Sequence, residues 1–284
     1  MDNHATLGTL VGDYADQQIA VILDAQDPLL IGSLDAVHPT RVAIRRLRSV
    51  LRTFDGVYRR GPSRRLDDEL RWLANALGEA RDVDVAHRRL TAALRSTPDR
   101  PSAQAASAAL SSVVAQRSRA AWVHLGAALG SRRYARLRST LADWRDDPPL
   151  RDHADLPADE ALHHVAAADA ELRRLIDRAV RAASRGHDST ARRVHSARKA
   201  GKRHRYAVEL ALPVLGDSAR SLVDARAALQ DLLGEQQDAV LTREFIAEVR
   251  RSAPPQAGPA LDEALRREDL VVAGAAQVLA RYSG

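Results

Sequence analysis

Basic side chains that could bind an anion are concentrated in two short windows of the sequence. Residues 37–65 contain nine arginines and one acid, and residues 185–205 contain eight lysines or arginines and one acid. The chain has only two lysines, Lys199 and Lys202, and both lie in the second window. A guanidinium group can donate two parallel hydrogen bonds to phosphate oxygens. The two windows therefore predict a binding site for a phosphate-rich anion.

Each window contains a histidine-led segment, and the two segments are copies of one another. The letters VHPTR at 37–41 recur as VHSAR at 194–198. Downstream of each, LGEARD at 77–82 corresponds to LGEQQD at 233–238. Two blocks that recur in the same order at nearly the same offset indicate an internal duplication.

The basic residues of the first window would share one face of an α-helix. At about 100° per residue they fall within an arc of roughly 80°. The arc contains His38, Arg41, Arg45, Arg48 and Arg52. The opposite face, which can enter a core, contains Ile44, Leu47, Leu51 and Phe54. The arc has no acid, and like charges at i,i+4 destabilise a helix by a few tenths of a kcal/mol, so a bound polyanion is the simplest compensation. Its length of about 20 Å suits a linear polymer.

The second window gives the same arrangement. The arc contains His195, Arg198, Lys202 and Arg205, with Lys199, Arg203 and Tyr206 beside it. The opposite face has Ala197, Gly201 and Val208, small residues that allow close helix packing.

The two histidines allow two interpretations. A histidine beside a bound anion should have a raised pKa, so His38 and His195 could act as additional donors when protonated. Alternatively, each only caps or packs at the start of its helix.

Composition predicts that these segments belong to an all-α protein. The 284 residues are 45% hydrophobic and 4% aromatic, with Ala, Leu, Arg and Glu prominent, and these residues favour helices. Apolar spacing and turn residues predict helices over 7–25, 35–60, 66–78, 82–95, 102–129, 131–146, 158–185, 189–212, 218–233, 236–251 and 259–281. Short connections between them imply two pseudo-symmetric bundles of the four-helix type.

The prolines at 148 and 149 mark the boundary between the two copies. We therefore expect a single domain over 1–284, with the first repeat at 1–147 and the second at 150–284. The chain has no cysteine, no signal peptide and no apolar stretch of about 18 residues. Its net charge of +6 hints at an anionic partner. A cytoplasmic protein without a membrane partner is expected.

The segments VHPTRVAIRRLRSVLRTF and VHSARKAGKRHRYAVEL, with LGEARDVDV and LQDLLGEQQDAV after them, resemble the CHAD domain, the conserved histidine α-helical domain. The resemblance covers nearly the whole chain. It implies two similar four-helix bundles with a basic channel or surface that binds inorganic polyphosphate, and association with polyphosphate granules. The alternating Glu-x-Glu-x-Lys strand of the triphosphate-tunnel domain, often joined to CHAD domains, is absent, so we expect a stand-alone CHAD protein.

Residue by residue, the resemblance implicates His38, Arg41, Arg45, Arg46, Arg48, His195, Arg198, Lys199, Lys202, Arg203 and Arg205 in polyphosphate binding. Arg52 and Tyr206 join them from the helical arcs. Two positions depart from the family pattern. Pro39 predicts a later helix start in the first copy, and His204 stands where the family often has an apolar residue. Arg81, Arg132, Arg133, Arg136 and Arg174 are further candidates for the same surface.

An enzyme that processes polyphosphate is one alternative. Phosphoryl transfer needs metal-binding acids, a phosphate-binding glycine loop or an activated nucleophile. The sequence has no G-x-x-x-x-G-K-[ST] loop. His187-Asp188 resembles a phosphohydrolase metal pair, but Asp188 is better interpreted as a helix N-cap. We expect no catalysis, no metal and no cofactor.

Nucleic-acid binding is the second alternative, since basic helices also fit it. Trp72, Trp122 and Trp144 lie outside the basic windows, so no base-stacking platform is apparent. We expect nucleic acid to bind only non-specifically.

Overall fold

The structure, a computed structural model, describes residues 6–185, 190–216 and 220–280, with no description of the side chains of residues 191, 220–233 and 275–280. The described chain is helical, with two isolated bridges and no strand, which confirms the all-α prediction. The helices are α1 Leu7–Asp24, α2 Gln26–Leu30, α3 Leu34–Thr53, α4 Arg60–Arg95, α5 Arg100–Leu129, α6 Arg132–Asp146, α7 Ala161–Ser184, α8 Thr190–Leu215, α9 Arg220–Ser252 and α10 Gly258–Ala280. Short 3-10 turns precede α7 and α10.

The two halves of the chain pack against each other through equivalent helices. The histidine-led helices α3 and α8 are in contact, and so are the helices that follow them, α4 and α9. One apolar core joins α1, α3, α6 and parts of α4 and α5 to the start of α7 and the end of α8. A second joins the C-terminal part of α4 and the N-terminal part of α5 to α9 and α10. These two cores are thus shared between the two halves, whereas a third, smaller core lies within the second half, between α7 and α8.

The apolar face that the sequence predicts for α3 is buried. Ile44, Leu47 and Phe54 are fully inaccessible and Leu51 is nearly so. The predicted end of this helix near residue 60 is wrong, because α3 ends at Thr53. Gly61 and Pro62 fall instead in the first turn of α4. A proline is tolerated there because the first N–H groups of a helix have no intrahelical acceptor.

Both LGE segments were predicted to end a helix, and both predictions are wrong. Helix α4 runs for 36 residues through Gly78 and Asp82, and α9 runs through Gly234 and Asp238. Gly and Asp carry only a modest penalty inside a helix. Burial on both sides of the segment outweighs it in α4, where Leu77, Ala80 and Val83 are all buried.

The histidines lie one turn inside their helices rather than at the start. Helix α3 begins at Leu34, four residues before His38, and α8 begins at Thr190, five before His195. The start of α8 borders residues that the structure does not describe, so the expectation that the first helix starts later than its twin stays a prediction. Pro39 is accommodated inside α3, next to Thr40, whose hydroxyl donates to the Ala36 carbonyl at 2.6 Å.

Helix α8 packs closely on α7, as its small residues predict. Ala197 and Val208 are inaccessible, and a methyl group at Gly201 would lie 3.7 Å from Leu172. His204 is also buried, with Nε2 3.6 Å from the Asp169 carboxylate of α7. The acid on the neighbouring helix explains how a polar residue is accommodated at this position.

The predicted helix starts at residues 189 and 218, the predicted end at 281 and the expected cap at Asp188 lie outside the described residues.

Candidate functional site

A groove of about 610 Å³ lies where α3, α4, α8 and α9 meet, and we call it the central groove. Its described lining comprises His38, Arg41, Val42 and Arg45 of α3, Arg81, Asp82, Val85 and Arg89 of α4, Arg198, Lys202, Arg205 and Tyr206 of α8, and Gly234, Glu235, Gln237, Asp238 and Leu241 of α9.

The lining is strongly basic. It contains six arginines and one lysine against three acids, which are Asp82, Glu235 and Asp238. Both copies of the motif contribute, because α3 and α4 come from the first half and α8 and α9 from the second. A concave site lined by one sign of charge attracts an oppositely charged ligand.

Seven of the thirteen predicted binding residues line the central groove. They are His38, Arg41, Arg45, Arg198, Lys202, Arg205 and Tyr206. On α3 the groove takes the histidine end of the basic arc and not its far end, whereas on α8 it takes the arc from Arg198 to Arg205 and not His195.

Arg48 and Arg52, at the far end of the first arc, pair with Asp67 of α4. Arg48 Nε donates to Asp67 at 2.9 Å, and Arg52 Nη2 donates to the other carboxylate oxygen at 2.7 Å. Burial raises the pKa of Asp67, but the hydrogen bonds from Arg52 and Arg48 outweigh it and hold this pKa below the ordinary value. The arc therefore has its own acid, supplied by a neighbouring helix.

Arg46 also faces away from the central groove. Its Nε donates to Glu209 of α8 at 3.0 Å. The same carboxylate accepts from the Tyr14 hydroxyl at 3.1 Å and lies 2.9 Å from Arg205. This half-buried cluster joins α1, α3 and α8 behind the groove.

The remaining predicted residues of α8 lie beside the groove. His195 contacts Gln237, which lines it. Lys199 is exposed and Arg203 is partly exposed, and neither is part of the lining.

Arg41 is held at the groove wall by α4. Its Nη1 donates to the Ala74 carbonyl at 2.9 Å. The guanidinium lies against Gly78, where a side-chain Cβ would come within 2.8 Å of Nη1. The glycine of the LGE segment thus makes room for an arginine of the neighbouring helix, which is a packing role rather than a helix stop.

Four cations of the groove lack a close acidic partner. Three of the groove cations are in ion pairs: Arg81 with Asp84, Arg89 with Glu268 and Arg205 with Glu209. No described carboxylate forms an ion pair with the other four, which are Arg41, Arg45, Arg198 and Lys202.

Two of these cations also bury a hydrogen-bond donor that has no acceptor. Arg45 Nε on α3 and Arg198 Nε on α8 are inaccessible and have no partner among the described residues. A buried donor without an acceptor is unfavourable by about 1–3 kcal/mol. Both side chains are partly exposed in the groove lining, so an anion there can pair with the rest of each guanidinium group, and Nε gains an acceptor if the side chain shifts.

The electrostatic cost of this cluster is seen at Lys202. Burial, together with Arg198, Arg45 and Arg41, lowers the pKa of Lys202 to about 7, and Asp238 opposes the shift only in part. Burial also lowers the pKa of Arg198, with Arg45 adding to the shift. Near neutral pH the ammonium charge of Lys202 is thus only partly present without a ligand.

The motif histidines have lowered rather than raised pKa values in the free protein. Burial lowers the pKa of His38, and Arg81 and Arg45 lower it further. Burial also lowers the pKa of His195, with Lys199 adding to the shift and a hydrogen bond with Gln237 opposing it. The expectation of a raised pKa could apply only once an anion has offset these cations.

Most of the groove residues on α4 and α9 are not among those predicted from the sequence. Arg89, Asp82 and Asp238 line the groove, and Arg81, held only as a further candidate, does so as well. Burial raises the pKa of Asp82. Arg41 opposes this shift, and Asp238 adds to it. The recurring aspartate of LGEARD and LGEQQD is the available signal, but the sequence pattern predicts the start of a new helix at Asp82 instead of a groove residue.

The other candidate arginines lie elsewhere. Arg133 pairs with Glu69 at 2.6 Å and stacks over Trp72, and Arg174 pairs with Glu171. Arg136 and Arg133 border a separate cleft between α4 and α6. Arg132 is exposed at the start of α6.

Neither a metal cluster nor a membrane span is found in the described chain. No group of three or more His, Asp or Glu side chains there could hold a metal ion. None of its helices is both long enough and apolar enough to cross a bilayer.

Comparison with known proteins identifies relatives of this fold. The family model of the CHAD domain matches residues 13–247. The structure of PptA from Streptomyces chartreusis is similar, with a TM-score of 0.77, 21% identity, and coverage of 98% of this chain and 99% of that one. The crystal structure of the CHAD domain from the plant Ricinus communis has a TM-score of 0.68 and 28% identity, with coverage of 95% and 88%.

A curated sequence relative is longer than this chain. The uncharacterized protein MT2285 of Mycobacterium tuberculosis (strain CDC 1551 / Oshkosh) is 30% identical over 213 residues, which are 75% of this chain and 40% of the relative. The chain thus spans about 40% of the length of that relative. The stand-alone arrangement and the division into two repeats stay predictions.

Proposed function

The chain belongs to the CHAD domain family, and from this membership and the central groove we propose that it binds inorganic polyphosphate without turning it over. One observation carries the proposal. Arg41, Arg45, Arg198 and Lys202 converge on one groove without an ion-pair partner among the described residues, and two of them bury donors that have no described acceptor. A phosphate chain supplies both the negative charge and the oxygen acceptors that this cluster lacks.

The shape of the cluster favours a polymer over a single phosphate. Its four cations come from two helices of different halves of the chain, so they border the groove from two sides. Successive phosphates along one chain can pair with successive cations. The ion pairs of Arg81, Arg89 and Arg205 hold further arginines at the rim.

The groove offers little to a nucleic acid beyond charge. Non-specific binding of single strands uses exposed aromatic faces on which bases stack. Tyr206 is the one aromatic residue in the described lining, and it is 3% exposed. We therefore propose that polyphosphate is preferred and that nucleic acid binds only through its phosphates. By the same proposal, the protein associates with polyphosphate granules in the cytoplasm rather than with a membrane.

A competition experiment tests the preference. Labelled long-chain polyphosphate is bound to the protein at moderate salt, and unlabelled polyphosphate or single-stranded DNA is added at equal phosphate equivalents. We expect polyphosphate to displace the label and DNA to leave most of it bound. Equal displacement by DNA would contradict the preference. Release of orthophosphate from polyphosphate with added Mg²⁺ or Mn²⁺ would contradict the non-catalytic part.

A charge-reversal pair tests the location. Arg45→Glu with Lys202→Glu places two acids in the groove, one from each motif copy. Hydrogen bonds to charged groups contribute about 1.5–3 kcal/mol each, so the Kd for polyphosphate should rise by roughly a hundredfold or more.

The matched control carries the same charge change outside the groove. Arg132→Glu with Arg136→Glu alters two exposed arginines of α6, and its Kd should stay within about threefold of the original. Circular dichroism checks that both variants keep their helices. Equal losses of affinity in the two variants would mean that net charge, and not the central groove, determines binding.

A further inference from the structure

Lys202 is an amine placed among cations. It is half-buried in the wall of the central groove on α8. Arg198 of the same helix and Arg45 and Arg41 of α3 act on it as like charges, whereas Asp238 of α9 is the acid that acts on it. No described carboxylate forms an ion pair with its ammonium.

This environment favours the neutral, nucleophilic form of the amine. Burial and neighbouring cations both disfavour the ammonium, and lysines of this kind serve as nucleophiles in enzymes. Burial and these like charges lower the pKa of Lys202 to about 7. Lys199, three residues earlier on the same helix, is exposed and outside the groove, so the chain contains its own comparison residue.

The same surroundings would bind a phosphate group next to the amine. Arg45 and Arg198 each bury an unpaired Nε donor in the wall that Lys202 shares. A small molecule with a phosphate joined to an acyl group could place its phosphate on these guanidinium groups and its carbonyl carbon near Lys202 Nζ. With the phosphate held in this way, the attack of the amine on the acyl group becomes effectively intramolecular.

We propose that Lys202 is an acylation site whose acyl donor is a small acyl phosphate, and that acylation there weakens the binding of polyphosphate. The second part rests on the proposed function, whereas the first does not. Acylation would then regulate the groove by removing one of the four cations that have no described ion-pair partner and by adding bulk inside it.

The reaction balances without a further reactant. The Nζ lone pair attacks the carbonyl carbon, and an N–C amide bond forms. The bond between the acyl carbon and the phosphate oxygen breaks, and orthophosphate leaves with that electron pair. The proton released from nitrogen goes to water or to the leaving phosphate. Nearby guanidinium groups stabilise the charge on the leaving group.

Reaction with acetyl phosphate tests the site. The purified chain is treated at pH 7.5 with acetyl phosphate or, separately, with the N-hydroxysuccinimide ester of acetic acid, and both lysines are followed by peptide mass spectrometry. With acetyl phosphate we expect Lys202 to react about tenfold faster than Lys199. With the ester, which has no phosphate, this preference should fall severalfold.

Two results would overturn the site. One is acetylation of Lys199 by acetyl phosphate at least as fast as that of Lys202. The other is the same preference with both reagents, which would remove the role of the phosphate. Added orthophosphate should slow acetylation at Lys202 and not at Lys199, and equal slowing at both lysines would also count against the proposal.

A binding measurement tests the consequence. The Kd for polyphosphate is measured before and after acetyl phosphate treatment, for the original chain and for Lys202→Arg. Treatment should raise the Kd of the original chain about tenfold and leave that of the variant at its own untreated value. An unchanged Kd despite complete acetylation of Lys202 would overturn the regulatory part. Failure of the untreated chain to bind polyphosphate would refute the proposed function, and the acetylation map would still decide the chemistry of Lys202.

Discussion

Lys202 can report ligand binding through its proton. In the free protein its pKa is about 7, and a bound polyanion must raise that pKa because it favours the ammonium form. Binding above pH 7 therefore takes up a proton, and affinity falls as pH rises. Between pH 7 and pH 9 we expect the Kd for long-chain polyphosphate to rise by up to about tenfold per pH unit.

Lys202→Arg provides the control for this pH dependence. An arginine stays charged over the whole range, and His38 and His195, with their lowered pKa values, are largely neutral above pH 7. The Kd of the variant should therefore vary little from pH 7 to pH 9 in a fluorescence titration. Equal pH slopes for the two proteins would show that Lys202 is not the titrating group.

At the scale of single residues, the sequence could locate the basic arcs. It could not predict which of their residues line the groove and which pair with an acid. Arg45 and Arg48 are one turn apart on α3 and have the same chemistry. Arg45 lines the central groove, whereas Arg48 pairs with Asp67. The difference comes from the acid on α4, which is distant in sequence from α3. A helical wheel of one helix contains no information about the charges of its neighbours.

At the scale of helices, the predictions that failed at the two LGE segments share one cause. Local preference predicts that one helix ends at Gly78 and another just before Gly234, and that a new helix begins at Asp82. In the structure, Gly78 accommodates Arg41, and Asp82 faces the groove. Local preference is a weak signal that tertiary packing overrides. Helices α1, α5 and α6 agree with their predicted ranges to within two residues, although α1 also contains Gly and Asp in its interior.

The two LGE glycines offer a matched pair of variants. Gly234→Ala meets no atom within 4 Å, so the gain in helix propensity should raise the free energy of unfolding by roughly 0.5–1 kcal/mol. Gly78→Ala has the same propensity gain, but its Cβ displaces the Arg41 guanidinium and breaks the bond to Ala74. Because a hydrogen bond to a charged group contributes about 1.5–3 kcal/mol, the net effect should be a loss of stability of roughly 0.5–2.5 kcal/mol.

The two glycine variants should also differ in their affinity for polyphosphate. Displacement of Arg41 should raise the Kd for polyphosphate by about threefold or more in Gly78→Ala, since one groove donor is misplaced. Urea unfolding followed by circular dichroism gives the stabilities, and titration with polyphosphate gives the affinities. A stability gain as large in Gly78→Ala as in Gly234→Ala, with unchanged affinity, would show that the glycine has no positioning role.

At the scale of the whole molecule, the two halves are joined behind the groove as well as across it. Arg89 of α4 lines the groove and donates to Glu268 of α10 at 2.6 Å and 3.3 Å. Glu268 is 5% exposed. This ion pair lies beside the second apolar core, in which α4 and α5 pack with α9 and α10. The repeat could be detected in the sequence, but a core shared between repeats could not, because each copy's apolar pattern is compatible with packing inside its own half.

Removal of Glu268 should therefore destabilise the whole chain. Glu268→Ala leaves Arg89 without its buried partner, which should lower the free energy of unfolding by roughly 3 kcal/mol. Asp68→Ala is the control, since it breaks an exposed pair with Arg71 and should change stability by less than about 1 kcal/mol. Urea unfolding measures both. A loss in Glu268→Ala no larger than in Asp68→Ala would contradict a structural role for the pair.

The pairing of equivalent side chains across the central groove has a consequence for how a polymer enters it. Arg41 and its counterpart Arg198 both line the groove, and so do Arg45 and its counterpart Lys202. An inorganic polyphosphate chain has no direction, so it meets matching partners whichever end arrives first. By the proposed function, a long chain can also shift by one phosphate and make the same contacts again, so its number of equivalent registers rises with its length.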